Sequence, residues 1–203
     1  MAQEFLEPHL RTLAKGRRVP HLGPARATPQ SPGPAEPRPG KEGDRKMAFD
    51  IAKKYLDERG YGDRVMEFDV SSATVELAAI AVGTEPERIA KSLTFMVEDS
   101  PVMILAAGDA KVNNGKYKAY FHTKAKMLTY EQVAELIGHE VGGVCPFGVK
   151  EGVKVYLDES LKRFDIVYPA CGSSNSAVRL TIPELEEVSG FTEWVDVTKF
   201  GEE

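Results

Sequence analysis

The placement of proline constrains this chain more than any other feature. Eight of its 13 prolines (Pro8, Pro20, Pro24, Pro29, Pro32, Pro34, Pro37 and Pro39) fall within the first 46 of 203 residues. Proline fixes φ and removes a backbone donor, so this density suits neither a helix interior nor a central strand. From Gly23 to Arg45 there is no large apolar side chain. Such a stretch cannot bury enough surface to offset the entropy of ordering, and residues 1–46 are expected to form a disordered extension. The same residues carry nine basic and five acidic side chains, a charge of +4, whereas 47–203 carry 17 basic and 26 acidic, a charge of -9. The extension is either without catalytic relevance or a weakly basic arm that helps hold a polyanion. No apolar run follows Arg17-Arg18 as a secretory signal would require, and Glu4 and Glu7 make a poor transit peptide.

The remaining 157 residues suffice for a hydrophobic core, and one domain over 47–203 is the expectation. No apolar run reaches the roughly 18 residues needed to cross a bilayer. Two cysteines, Cys145 and Cys171, cannot make a disulfide framework, and no C-x-x-C or Cys/His cluster suggests structural zinc. An acidic balance also excludes a generally basic nucleic-acid coat.

Apolar spacing predicts a helix from Met47 through Leu56, stopped by Gly60. A strand follows over Arg64–Val70, then a helix over Thr74–Val82 ended by Gly83. Thr84 and Glu87 have capping-box spacing. Ser92–Val97 and Val102–Ala107 read as two strands of a hairpin, joined by Glu98-Asp99-Ser100-Pro101. Helices are expected at Asn113–Ala119 and Thr129–Ile137, the second capped by Thr129 and Gln132. Gly142–Gly148 must be irregular, because three glycines and a proline fit neither regular structure. Strands at Val153–Leu157, Ile166–Tyr168, Val178–Ile182 and Phe191–Val197 and a helix at Pro183–Val188 complete an α/β pattern.

Familiar catalytic signatures are absent: no P-loop, no dinucleotide fingerprint, no H-E-x-x-H and no G-x-S-x-G elbow. Cys145 with His139 is a conceivable nucleophile pair, but a loop cysteine is more often a small packed side chain. His139, after Gly138, reads as an exposed helix-end residue. Lys91 opens an otherwise apolar strand, which marks either an exposed strand entry or an ammonium aimed into a cleft. Asp109 after Gly108 reads as a turn cap or a site residue. Cys171–Ser176 offers backbone N–H groups and hydroxyls that suit an anion, although turn chemistry explains them equally well.

Taken in order, Ser71-Ser72-Ala73-Thr74, Ile89-Ala90-Lys91-Ser92-Leu93, Gly108-Asp109, Gly142-Gly143-Val144-Cys145-Pro146-Phe147-Gly148 and Ala170-Cys171-Gly172 resemble the YbaK/EbsC domain family. These are aminoacyl-tRNA deacylases related to the editing insertion of prolyl-tRNA synthetases. The resemblance spans about 48–200. It implies an α/β fold with a mixed, partly barrel-like sheet flanked by helices. It also implies hydrolysis of the ester that joins a wrong amino acid to the terminal ribose of a tRNA, including tRNA for proline, in the cytoplasm.

The resemblance assigns catalytic roles to Lys91 and to Gly142 and Pro146 of a G-x-x-x-P loop. It assigns substrate binding to Thr74, Asp109, Gly143, Cys145, Gly172 and Ser173. No metal or organic cofactor is implied; an activated ester needs mainly a positioned water or ribose hydroxyl and stabilisation of the developing oxyanion. Ala170 and Ala177 depart from the pattern of the Cys-tRNA deacylases and point away from that specificity, and Cys145 stands where a serine is common. The implied partners are misacylated tRNA and a synthetase that presents it, with neither membrane nor DNA. A charge of -9 predicts a weak, salt-sensitive grip on tRNA, with Lys111, Lys116, Lys118, Lys124 and Lys126 as either a solvated surface or an acceptor rim. Two other readings stand beside the deacylase: a non-catalytic module that binds an aminoacylated end, and a Cys145-dependent hydrolase of small esters.

Overall fold

Central strands whose every residue is apolar must be covered on both faces, and the Val102–Ala107 run meets that requirement. In the computed structural model, which describes residues 42–200, this run lies in β3 (Ser100–Ala107), paired antiparallel with β2 (Ile89–Val97) and parallel with β5 (Lys154–Asp158). Met103 and Leu105 pack into one hydrophobic cluster, and Val102 and Ile104 into a second on the opposite face. Of residues 1–46, expected to be disordered, 1–41 lie outside the described residues, whereas 42–46 are helical instead, because they continue the amphipathic helix that follows.

The other strands are β1 (Val65–Glu67), β4 (Ala110–Val112), β6 (Ile166–Pro169), β7 (Ser176–Val178), β8 (Leu180–Thr181), β9 (Glu193–Val195) and β10 (Thr198–Phe200). Six strands in the order β8-β6-β2-β3-β5-β9 make a curled, half-barrel mixed sheet. Two short antiparallel pairs, β1 with β7 and β4 with β10, form separate two-stranded sheets. The α/β fold with a partly barrel-like sheet is therefore the one expected.

Helices cover both faces. Phe49, Ala52 and Leu56 of α1 (Glu42–Asp57) join Leu185 and Val188 of α5 (Ile182–Ser189) on the first cluster. Tyr117 of α3 (Asn114–Phe121) packs on the second, its ring 5.0 Å from that of Phe95. Helix α2 (Val75–Val82) makes a small third cluster, setting Ala78 and Ala79 against Ile89. Last, α4 (Tyr130–Gln132) runs into a π-helical turn at Val133–Ile137.

Capping explains where several of these begin and end. Thr74 Oγ1 accepts from the Leu77 N–H, and Gly83 closes α2 in the left-handed region at φ 77°. Thr129 and Gln132 form the expected reciprocal capping box. The box expected from Thr84 and Glu87 does not form. Pro86 takes the first position of a 3-10 turn over Pro86–Arg88, which moves the cap to Glu85. Helix α1 starts at Glu42, ahead of Met47. The strand expected over Val178–Ile182 breaks at Arg179 into β7 and β8, and the one over Arg64–Val70 shortens to β1.

Asp158 fastens the far end of the sheet. Buried at the end of β5, its carboxylate accepts from the backbone N–H of Ser160 and Val197 at 3.0 Å each and from the Thr198 hydroxyl at 2.7 Å. Charge-assisted bonds of this kind are the strong ones. Asp158→Asn turns one acceptor oxygen into a donor facing donors. It is expected to cost about 2 kcal/mol, read as a lowered denaturation midpoint with unchanged slope.

Candidate active site

A cavity of about 410 Å³ opens between α2, the start of β2, the α4 region and the Val141–Val144 loop. Ala90, Ser92 and Thr94 line it at period two, so one face of β2 forms a wall. Val75 and Ala78 of α2, Val133 of the π turn, and Ala170 and Ala177 beside β6 and β7 supply small apolar surface. Met127, at 59% exposure, and Tyr130 stand where the cavity meets solvent. The walls thus suit a short side chain with little polarity, a few hydroxyls apart.

Lys91 lines the cavity from the start of β2. Its half-buried ammonium donates to the Gly108 carbonyl at 2.8 Å and to the Ala110 carbonyl. An ammonium has three donors, so one hydrogen is left for a ligand. Burial lowers the pKa of this lysine, while the Asp109 carboxylate nearby favours its charged form. The exposed strand-entry alternative is therefore set aside. Gly142 lines the cavity too, at φ 99°, where L side chains are strained. Thr74 lines it as the cap of α2.

The other expected residues sit elsewhere. Asp109 is held by the Arg163 guanidinium through both carboxylate oxygens, one at 3.0 Å, and is not part of the wall. Gly143, Cys145 and Pro146 lie behind Gly142 rather than on the surface of the cavity. Gly143 accepts from the Gly172 N–H at 3.0 Å, which clamps the two glycine-bearing loops together. Gly172 and Ser173 support this clamp. The Ser173 hydroxyl bonds to Ser176 at 2.8 Å, and Ser176 donates to the Cys171 carbonyl at 2.9 Å. Turn chemistry consumes the hydroxyls that suited an anion.

Cys145 and His139 do meet, with Sγ 3.6 Å from Nδ1. His139 is only 1% exposed, contrary to the exposed position expected after Gly138. The chain folds back so that Nδ1 accepts from the Cys145 backbone N–H at 3.2 Å. Burial of Cys145, at 0% exposure, pushes its thiol far up, and burial pulls His139 down to about 4. A protonated thiol beside a neutral imidazole, away from the cavity, is a packed pair and not a nucleophile.

The pair makes a pH prediction. His139 in the unfolded chain takes up a proton near pH 6.5, but in the fold only near pH 4. The unfolded state binds more protons in between, so stability is full above about 6.5 and falls as pH drops toward 4, by about 3 kcal/mol. His139→Asn, which keeps an acceptor for the Cys145 N–H, should flatten that part of the stability–pH curve by about one proton.

Residues the sequence did not single out include Ser92, Thr94, Val133 and Tyr168, all on the wall. Ser92 and Thr94 could have been found by extending the alternation along β2. Val133 and Tyr168 carry no comparable signal. Among the described residues no group of three or more His, Cys, Asp or Glu side chains could hold a metal ion, and no helix is long and apolar enough to cross a membrane.

A lysine, a positive-φ glycine loop and a small-residue wall in one cavity can be compared with known proteins. The aminoacyl-tRNA editing domain family matches residues 70–188. The chain belongs to that family. The editing domain is 55% identical over 154 residues to the uncharacterized protein YwhH of Bacillus subtilis (strain 168), covering 75% of this chain and 98% of that one. It is 38% identical over 104 residues to the proline–tRNA ligase of Halalkalibacterium halodurans, covering 51% of this chain but only 18% of the ligase. A solved structure described as "a putative trans-editing enzyme for prolyl tRNA synthetase" superposes with a TM-score of 0.68 at 32% identity, over 75% of this chain and 97% of the other. The editing domain thus corresponds to a small part of a synthetase and to nearly all of a free-standing protein.

Proposed function

We propose that this protein is a trans-acting aminoacyl-tRNA deacylase that hydrolyses the ester of a misacylated tRNA, with tRNA for proline as the first candidate. The observation that carries the reading is Lys91, whose half-buried ammonium retains a free donor at the edge of a cavity of about 410 Å³ walled by small residues. The side chain of the amino acid enters the cavity, and the terminal ribose and phosphate stay at its mouth. A water, positioned by the neighbouring ribose hydroxyl, attacks the ester carbonyl; the ribose oxygen leaves and takes the proton the water gives up, releasing the free amino acid. Lys91 offsets the negative charge on the carbonyl oxygen or holds the terminal phosphate. Backbone groups of Gly142, held by the clamp behind it, orient the ester, and Thr74 and the start of α2 close one side.

The proposed working residues are therefore Lys91, Gly142 and Thr74, with Gly143, Pro146, Gly172 and Ser173 shaping the loops and Asp109 acting only through the field at Lys91. Lys124 and Lys126 precede Met127 at the mouth and suit the acceptor end. Lys116 is engaged with Asp196 at 2.6 Å and contributes less. We place the protein in the cytoplasm, with a synthetase as a helper that raises the local tRNA concentration. Residues 1–41 remain proposed as an extension outside the editing domain, which begins with α1 at Glu42.

A panel of misacylated tRNAs separates this reading from the alternatives. The expected result is release of at least one non-cognate amino acid well above spontaneous hydrolysis, retained within about threefold in Cys145→Ala. Saturable binding without turnover would favour a binding module, and loss in Cys145→Ala would favour the thiol hydrolase.

A further inference from the structure

Hydroxyls are the main polar groups on a wall that is otherwise apolar, and most are already used. The Ser72 hydroxyl donates to the Ser174 carbonyl, Thr74 caps α2, Thr129 caps α4, and Ser176 donates to the Cys171 carbonyl. Ser92 differs. Its Oγ is buried and has no hydrogen-bond partner among the described residues. It follows Lys91 directly on β2 and stands on the cavity face with Ala90 and Thr94.

A buried hydroxyl with no partner is destabilising, and each such group in a folded protein calls for an explanation. A strand position between Ala90 and Thr94 tolerates alanine as well as serine sterically. The hydroxyl is therefore not needed for packing, and the site could be apolar at no cost to the fold. Staggered rotamers let a serine Oγ swing between its present position and the cavity beside it.

We infer that Ser92 is a specificity-determining residue, and that its hydroxyl bonds the side chain of the bound aminoacyl group. The class of residue edited is then a short hydroxylated one, serine or threonine. The small walls at Ala78, Ala90, Ala170 and Ala177 leave room for such a side chain and carry no polar side-chain group of their own. A site that hydrogen-bonds a ligand hydroxyl rejects the analogue without it far more strongly than an apolar pocket rejects an extra methylene. Alanine would enter the same cavity and leave Ser92 unpartnered. Cysteine, a weak donor, would gain little from it.

This inference rests on the deacylase reading for its substrate but can be tested apart from turnover. The probes are non-hydrolysable 3′-amide-linked adenosines carrying seryl, threonyl or alanyl groups, with binding followed by titration calorimetry. The expected result is a preference for seryl or threonyl over alanyl of about tenfold or more, the scale of one neutral hydrogen bond. Ser92→Ala should erase that preference, change alanyl binding by less than about threefold, and melt no lower than the wild type. Ser92→Thr, which restores a hydroxyl, should restore the preference. Deacylation of seryl- and alanyl-tRNA, run in parallel, locates any failure. A seryl preference in binding without turnover sinks the deacylase reading and keeps the role of Ser92. Equal binding of seryl and alanyl probes, an alanyl preference, or equal loss of both in Ser92→Ala overturns that role even where the protein is an active deacylase.

Discussion

Lys91→Ala is expected to slow deacylation by about 10²–10³-fold while leaving the fold in place. Removing a single preorganised donor from a developing oxyanion costs that much in other acyl-transfer sites, and Lys91 is the cation lining this cavity. The structural cost is small. Two bonds to the Gly108 and Ala110 carbonyls disappear from a half-buried position near the sheet end, worth about 1–2 kcal/mol together. Circular dichroism and melting should therefore stay near wild type while single-turnover rates collapse. Lys91→Arg makes a sharper comparison. It keeps the charge, but a planar guanidinium cannot place three tetrahedral donors between two carbonyls and a ligand, so at least a tenfold loss should remain.

Gly143→Ala carries the second large effect, and here stability and activity fall together. A Cβ at Gly143 would stand 2.5 Å from the Ser173 nitrogen and 2.6 Å from the Gly172 carbonyl carbon, both backbone atoms. Gly172 cannot retreat, because its own Cβ position meets the backbone of Ala48 in α1. The loops must separate, breaking the Gly172 N–H bond to the Gly143 carbonyl. Overpacking of this kind costs about 3 kcal/mol, a melting shift of roughly 6–12 °C for a domain of this size. Because Gly142 is the next residue and lines the cavity, turnover should drop at least tenfold at temperatures where the variant is still folded. Gly152→Ala is the control. It is also strained at φ 89° but has nothing within 4 Å of its Cβ position, so it should lose about 1 kcal/mol and no activity.

What could be read from the sequence follows the range of the forces involved. Local rules found α2, with Thr74 and Gly83 at its ends, and the Thr129–Gln132 cap, because each signal lies within a few residues of its effect. The β2–β3 hairpin was legible for the same reason, although the turn is tighter than expected: Val97 pairs with Ser100, which leaves Glu98 and Asp99 at the tip with Glu98 at φ 53°. Strands β4 and β10 were missed. Each has three residues, and each exists because of a partner nearly ninety positions away. Pro86 overrode a capping box that spacing alone supported.

The site divides in the same way. Lys91, Gly142 and Thr74 were singled out and share one cavity. Asp109 was singled out too, but Arg163, far along the chain, claims its carboxylate. His139 was read as exposed because its neighbour Gly138 ends a helix; the fold that buries it depends on the Cys145 N–H and cannot be inferred from six residues of separation. Ser92 stands beside Lys91 in the chain, but its meaning depends on a buried hydroxyl without a partner, which no local signal marks.

The central claim is that the cavity beside Lys91 hydrolyses an aminoacyl ester. Single-turnover deacylation with protein in large excess over misacylated tRNA tests it directly, because excess protein offsets the weak tRNA grip of an acidic domain. The expected result is first-order loss of a non-cognate amino acid far faster than in buffer, and near-background loss with Lys91→Ala. Background rates with the wild-type protein on every misacylated tRNA, at saturating concentration, would contradict it.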